Sequence, residues 1–122
     1  MDKGIRFLLP VRDLVVFPKS ITSVMIGREK SLNILQDINI SEDLIFIVSQ
    51  KNNASNNITL NNLNTIGVLC RVLQKIDAEN NQKRIIIEGV QKAELLEIIN
   101  NERYFLCKVK EIEDKKLTEK QA

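Results

Sequence analysis

Two short charged groups set among apolar residues are the parts of this chain best placed to do chemistry. One is Arg12-Asp13, inside the run from Val11 to Phe17 that Pro10 and Pro18 bracket; the other is Arg28-Glu29-Lys30-Ser31, directly after Gly27. The chemistry they offer is recognition rather than bond breaking. There is no histidine in the 122 residues, which removes the commonest general base and the commonest metal ligand. Cys70 and Cys107 lie far apart, each within an apolar strand pattern, the setting of a buried thiol rather than of a zinc or redox site. No Gly-x-x-x-x-Gly-Lys-Ser/Thr segment is present to cradle nucleotide phosphates, and nothing in the chain pairs a serine with a lysine as nucleophile and base. Gly27 and Gly89 stand outside any glycine-rich loop and read as positions of positive φ or of close backbone approach.

Neighbours on a strand point to opposite faces, so Arg12 and Asp13 cannot pair with each other. They read as scaffold, Asp13 bracing a turn and Arg12 pairing elsewhere. Arg28-Glu29-Lys30 falls at the first turn of a helix, where the open backbone N–H groups favour Glu29 and disfavour Lys30. It is either a solvated helix start or a contact site for a polypeptide client. The second reading draws on Val24, Met25 and Ile26 beside it, since methionine adapts to varied partners. In that reading Phe17, Val24, Met25 and Ile26 flank a proline-interrupted edge strand that accepts an extended peptide, and Arg28, Glu29 and Lys30 form its polar rim. The competing reading places those apolar residues in the core.

The elements that must position these groups follow from apolar period and turn residues. Residues 5–9 and 11–17 read as two short strands bent at Pro10, and residues 21–26 as a third. After Gly27 the period changes: Leu32, Leu35 and Ile38, with Ile34 beside them, share one face of a helix over residues 28–38. The unbroken run at residues 44–48 predicts a central strand covered on both faces. Residues 51–57 read as an exposed loop and residues 59–63 as one helical turn with Thr59 as its cap. Alternation from Ile66 to Ile76, a polar tip over residues 77–82 and a return at residues 84–90 predict an antiparallel pair. A further strand or kinked pair covers residues 93–99, and residues 104–109 end the sheet with Phe105, Cys107 and Val109 on one face. Short strands, one helix and no βαβ alternation indicate a mainly β (α+β) chain, a mostly antiparallel sheet curled on itself into a pseudo-barrel.

Length fits a single domain that can bury a core without disulfide or metal. With 18 basic and 16 acidic residues the net charge is +2, too little to concentrate nucleic acid, and the longest apolar runs are far too short to cross a bilayer. The first residues resemble neither a signal peptide nor a transit sequence, which predicts a cytoplasmic protein. Residues 1–113 carry the domain, and the mixed charges of residues 114–122 read as the start of a linker.

Four segments in order resemble one family. Pro10, Arg12, Asp13, Val15, Phe17 and Pro18 fit a Pro-Leu-Arg-Asp-x-Val-x-Phe-Pro pattern; Ile26, Gly27, Arg28, Glu29 and Ser31 fit Val-Gly-Arg-Glu-x-Ser; Gly67-Val68 fits a Gly-Thr step; and the segment from Glu88 to Ala93 fits Glu-Gly-x-x-Arg-Ala. Together they resemble the N-terminal LON domain of the Lon family of ATP-dependent proteases, over nearly the whole chain. The sequence departs from the family at Ser23, where a proline is common. The resemblance implies a PUA-like LON fold that recruits damaged or unfolded proteins. It also implies a full-length homo-hexameric AAA+ protease whose ATP and Mg sites and Ser-Lys dyad lie outside this chain. The chain itself is then no enzyme, holds no cofactor and is a monomer or weak dimer. A stand-alone LON/PUA-like module for a small ligand or RNA is the alternative, though aromatic residues are scarce for either.

Overall fold

The computed structural model describes residues 5–12, 16–39, 42–51, 59–60, 63–100 and 102–113. Six strands and one helix run in the order β1 (Ile5–Val11), β2 (Ile21–Ile26), α1 (Glu29–Asp37), β3 (Leu44–Ser49), β4 (Ile66–Asp77), β5 (Lys83–Asn100) and β6 (Phe105–Glu111). The sheet order is β2-β5-β4-β3-β1-β6, and β6 also pairs with β5. That extra pairing closes a ring of β5, β4, β3, β1 and β6, with β2 attached outside it to the first half of β5. All pairings are antiparallel except β1 with β3, which the chain between them, carrying β2 and α1, joins by a crossover. The curled, mostly antiparallel, mainly β architecture expected from the sequence is therefore the one observed.

Two buried clusters share the strands between them. Leu8, Phe46, Leu69, Leu95 and Cys107 bring one side chain from each strand of the ring into the first. Phe7, Leu9, Ile45, Ile47, Val68 and Cys70 turn the other way, into a second cluster completed by Val24 and Ile26 of β2 and Ile34 and Leu35 of α1. This is why residues 44–48 carry no alternation: β3 is covered on both faces, as expected. Ile34, Leu35 and Ile38 are buried and Leu32 partly so, on the helix face the spacing predicts. Asp37, at the end of α1 where the helix dipole disfavours an acid, is held by Arg103 at 2.9 Å, and Lys75 donates to the carbonyl of Leu35 at 2.8 Å.

Three strand expectations change. β1 does not bend at Pro10 but runs through it to Val11. Val11 O accepts from Gln50 N at 2.9 Å, so Val11 turns its polar groups toward β3 and its neighbour Pro10 turns away from it. On that side β6 pairs only with Ile5, Arg6 and Phe7, so the missing N–H of Pro10 breaks no ladder. Of the second expected strand, Val11 ends β1, Arg12, Val16 and Phe17 stand outside any strand, Val16 is buried and Phe17 opens a turn through Pro18, while Asp13, Leu14 and Val15 lie outside the described residues. Residues 93–99 are not a separate strand either; they continue β5, which leaves β2 after Glu88 and pairs with β6 from Ala93 onward, with an irregularity inside that pairing between Leu95 and Glu97. Of the expected loop and helical turn, residues 52–58 and 61–62 lie outside the described residues, and Leu63 pairs with Gln50 in an isolated bridge. The proposed linker at 114–122 lies outside them too.

Candidate functional site

Two of the segments singled out in the sequence meet in space. The turn at Phe17 and Pro18 is closed by Ser20, whose Oγ donates to Phe17 O at 2.6 Å, with Lys19 at a φ of 67°. Gly89 of β5 is clamped by this turn: its carbonyl accepts from Lys19 N at 2.7 Å and its N–H donates to Ser20 O at 2.9 Å. A Cβ on Gly89 would lie 2.2 Å from Phe17 O. Close approach, and not a phosphate cradle, accounts for this glycine.

A cleft of about 530 Å³ lies between β1 and β2. Its lining includes residues 9–12 at the end of β1 and 23–27 at the end of β2, with Arg28 and Ser31 of α1, Gln50 and Gln82. A strand that presents a face offers alternate residues; one that offers consecutive residues is lining the space with its edge. β2 stands at the end of the sheet and pairs only with β5, and β1 beyond Phe7 pairs only with β3. Two strand edges that no described strand covers therefore border one cleft.

Charge gathers at one end of it. Arg12 Nε and Arg28 Nη2 both donate to Gln50 Oε1, at 3.3 and 3.0 Å. Gln50 is buried, 6% exposed, at the end of the apolar run of β3. Arg28 Nη1 is also buried and has no hydrogen-bond partner. Burial, and then repulsion from Arg12, lower the pKa of Arg28. Arg28 is the N-cap of α1 and makes no side-chain capping bond, having no acceptor to offer. None of the described residues lining the cleft is acidic.

The proposed contact residues divide. Met25 is 43% exposed and lines the cleft, whereas Val24 and Ile26 line it but bury their side chains in the core. Arg28 lies in the cleft. Glu29 is exposed outside the lining, and Lys30 sits over the Phe105 ring, 4.5 Å from its centroid. Phe17, 63% exposed, borders a second cleft of about 220 Å³ with Val16, Ile66 and Lys92. Sequence reasoning passed over Gln50 and Gln82 and marked Ser23 only as a departure from the family pattern; of the two it passed over, only Gln50 carried a signal, as a polar residue closing a fully apolar strand. Arg12, read as scaffold that pairs elsewhere, does pair with Gln50 and also faces the cleft.

Cys70 and Cys107 are free and fully buried, and burial pushes both thiols up to about 12. Among the described residues no group of three or more Cys, Asp or Glu could hold a metal ion, and no helix is long and apolar enough to cross a membrane.

Comparison with known proteins bears on the whole chain. Residues 6–122 match the family model of the ATP-dependent protease La (LON) substrate-binding domain. The chain is 33% identical over 107 residues to Lon protease 1 of Hydrogenovibrio crunogenus, covering 88% of this chain and 13% of that protein. It is 28% identical over 114 residues to the Lon protease of Escherichia coli strain K12, covering 93% and 14%. The chain thus spans about one seventh of the length of such relatives. Among solved structures, the N-terminal domain of Mycobacterium avium complex Lon protease superposes with a TM-score of 0.70 at 13% identity, over 90% of this chain and 55% of that one. The Lon N-terminal domain protein from Xanthomonas campestris gives 0.66 at 11%, over 89% and 60%. At those identities the likeness shows the fold.

Proposed function

Because the chain belongs to the family of LON substrate-binding domains, we propose that it recruits damaged or unfolded polypeptides for a Lon-type ATP-dependent protease in the cytoplasm. The ATPase and Ser-Lys protease domains, with ATP and Mg, are supplied outside this chain, in a homo-hexamer.

The observation that carries this reading is the cleft bordered by the edges of β1 and β2. An unfolded client has no fixed shape; what every client shares is backbone and exposed apolar side chains. Uncovered strand edges recognise the backbone through main-chain hydrogen bonds, and Met25 and the apolar floor supply tolerance of sequence. Such a site is weak, on the order of micromolar to millimolar, because the client must be ordered as it binds.

Titration of a labelled, permanently unfolded polypeptide against the chain and its Met25→Ser variant tests the assignment. Met25 is exposed, so the variant should keep its thermal transition and bind several-fold more weakly, roughly the value of one partly buried side chain. Unchanged affinity in Met25→Ser and in the Arg28/Glu29/Lys30 triple alanine variant, both well folded, would place the client site elsewhere.

A further inference from the structure

The two strand edges that border the cleft do not offer the same main-chain groups. Along an antiparallel ladder the residues alternate, one turning its N–H and C=O to the partner strand and the next turning both away from it. The phase of β2 is set just before its start, where Gly89 N donates to Ser20 O at 2.9 Å. From there the register runs without a shift, from Ile21 opposite Glu88 to Ile26 opposite Lys83. Thr22, Val24 and Ile26 therefore bond to β5, and Ile21, Ser23 and Met25 turn their N–H and C=O to the open edge. Ser23 and Met25 both line the cleft, and on that side no main-chain bond from a described residue reaches them. The end of β1 has no such row. Val11 turns to β3, where its carbonyl accepts from Gln50 N, and Leu9 turns the same way by alternation. Pro10 between them faces away from β3 and has no N–H to give. Of the two edges, only β2 can run a ladder. Because β1 borders the far side of the cleft, a single extended chain fits beside β2, whereas the β2 of a second copy would have to bring its own β5 with it.

We propose that the captured polypeptide binds as an added strand on β2, held by the main-chain N–H and C=O of Ser23 and Met25, and that β1 serves only as the opposite wall. The clients are then segments that can extend and whose amides are open at every second position. A proline or any other blocked amide at a position facing β2 excludes a segment, while side-chain identity matters less. This inference rests on the cleft being the client site, and it adds which edge binds and in what form the client is held.

The test is an NMR titration of the chain with a short peptide of alternating valine and threonine between terminal lysines, blocked at both ends, in four forms. One is unmethylated, one is N-methylated at every valine, one at every threonine, and one at both. Every second N–H of a strand points the same way, so one half-methylated form should bind within a few-fold of the unmethylated peptide. The other half-methylated form and the fully methylated one should bind about tenfold more weakly, having lost their bonds to β2. The amides of Ser23 and Met25 should shift on binding and exchange their hydrogens more slowly. Ser23→Pro removes an N–H that does not point at β5, so the variant should keep its thermal transition and bind the unmethylated peptide several-fold more weakly. Equal binding of all four forms overturns the added strand while leaving client capture by apolar contact standing, and so does unchanged affinity in a well-folded Ser23→Pro. No binding by any form, or binding that leaves Ser23 and Met25 undisturbed, overturns both the added strand and the cleft as client site. Protection of those two amides that rises with protein concentration alone gives the edge to a second copy and overturns the proposal. Should Ser23→Pro fail to fold, the peptide series on the unaltered chain still decides.

Discussion

Gly89 has no room for a side chain, and the reason is the turn at Phe17 and Pro18. A Cβ there would meet Phe17 O at 2.2 Å, backbone against backbone, with no flexible side chain to give way. Gly89→Ala should therefore cost about 1–3 kcal/mol in urea denaturation, and a neutral result would mean that the turn can swing clear. The two cysteines make a second prediction. Both thiols are buried and raised to about 12, so neither should react with a disulfide reagent in the native chain at neutral pH. Labelling should follow global unfolding, and rapid native-state modification would contradict the burial. Acid sensitivity has a named source as well. Arg103 holds Asp37, and Lys83 holds Asp77, below the ordinary carboxyl value of 3.8. Each binds its proton more weakly folded than unfolded, so the stability it adds is present above that value and is lost as pH falls through the depressed folded one. Both carboxylates are exposed, so the effect is small. Stability measured across the acid range should show a shallower slope in Arg103→Ala than in the parent, and an unchanged slope would remove Asp37 as a contributor.

The β2 strand holds two kinds of residue that sequence alone could not separate. Val24, Met25 and Ile26 are all apolar and consecutive, and the period-two rule says only that Met25 faces away from the other two. Pairing with β5 settles which face is which: Val24 and Ile26 sink into the core, and Met25 stays 43% exposed. Val24→Ala should lower stability by about 2 kcal/mol, the value of two buried methyl groups and the space they leave, whereas Met25→Ser should leave the thermal transition within about 0.5 kcal/mol. Equal losses from both would return Met25 to the core. β2, α1 and β3 were legible because each has a clear period or an unbroken apolar run. β1 was not, because the tolerance of Pro10 depends on where β6 stops pairing, a fact about a strand nearly a hundred residues further on. The unity of β5 was equally hidden, since its second half changes partners from β2 to β6 and local pattern records no partner. At the cleft, Arg28 and Met25 could be picked out from their segments, but Gln50 joins Arg12 and Arg28 only through the parallel pairing of β1 with β3.

A closed ring with one attached strand sets the edges that the proposed client site would use. Closure pairs β6 with both β1 and the second half of β5, while β2 and the end of β1 are among the strand edges that no described strand covers. One such place per chain offers little affinity, because an unfolded client loses conformational freedom on docking and gains only backbone bonds and loosely specified apolar contact. Copies held on one ring change this without any new contact: once one segment is bound, the next site sees the same client at high effective concentration. Covalently or otherwise assembling six copies should raise apparent affinity for a long unfolded chain by about 10²–10⁴, and for a peptide long enough to fill one site hardly at all. Surface-bound chains at graded density, probed with a long and a short client by their dissociation rates, provide the comparison. Slower release of the long client with rising density, beside constant release of the short one, supports recruitment by many weak sites. Release rates independent of density for both clients would mean that one chain does the capturing alone, and the weak-edge account of the cleft would have to be given up.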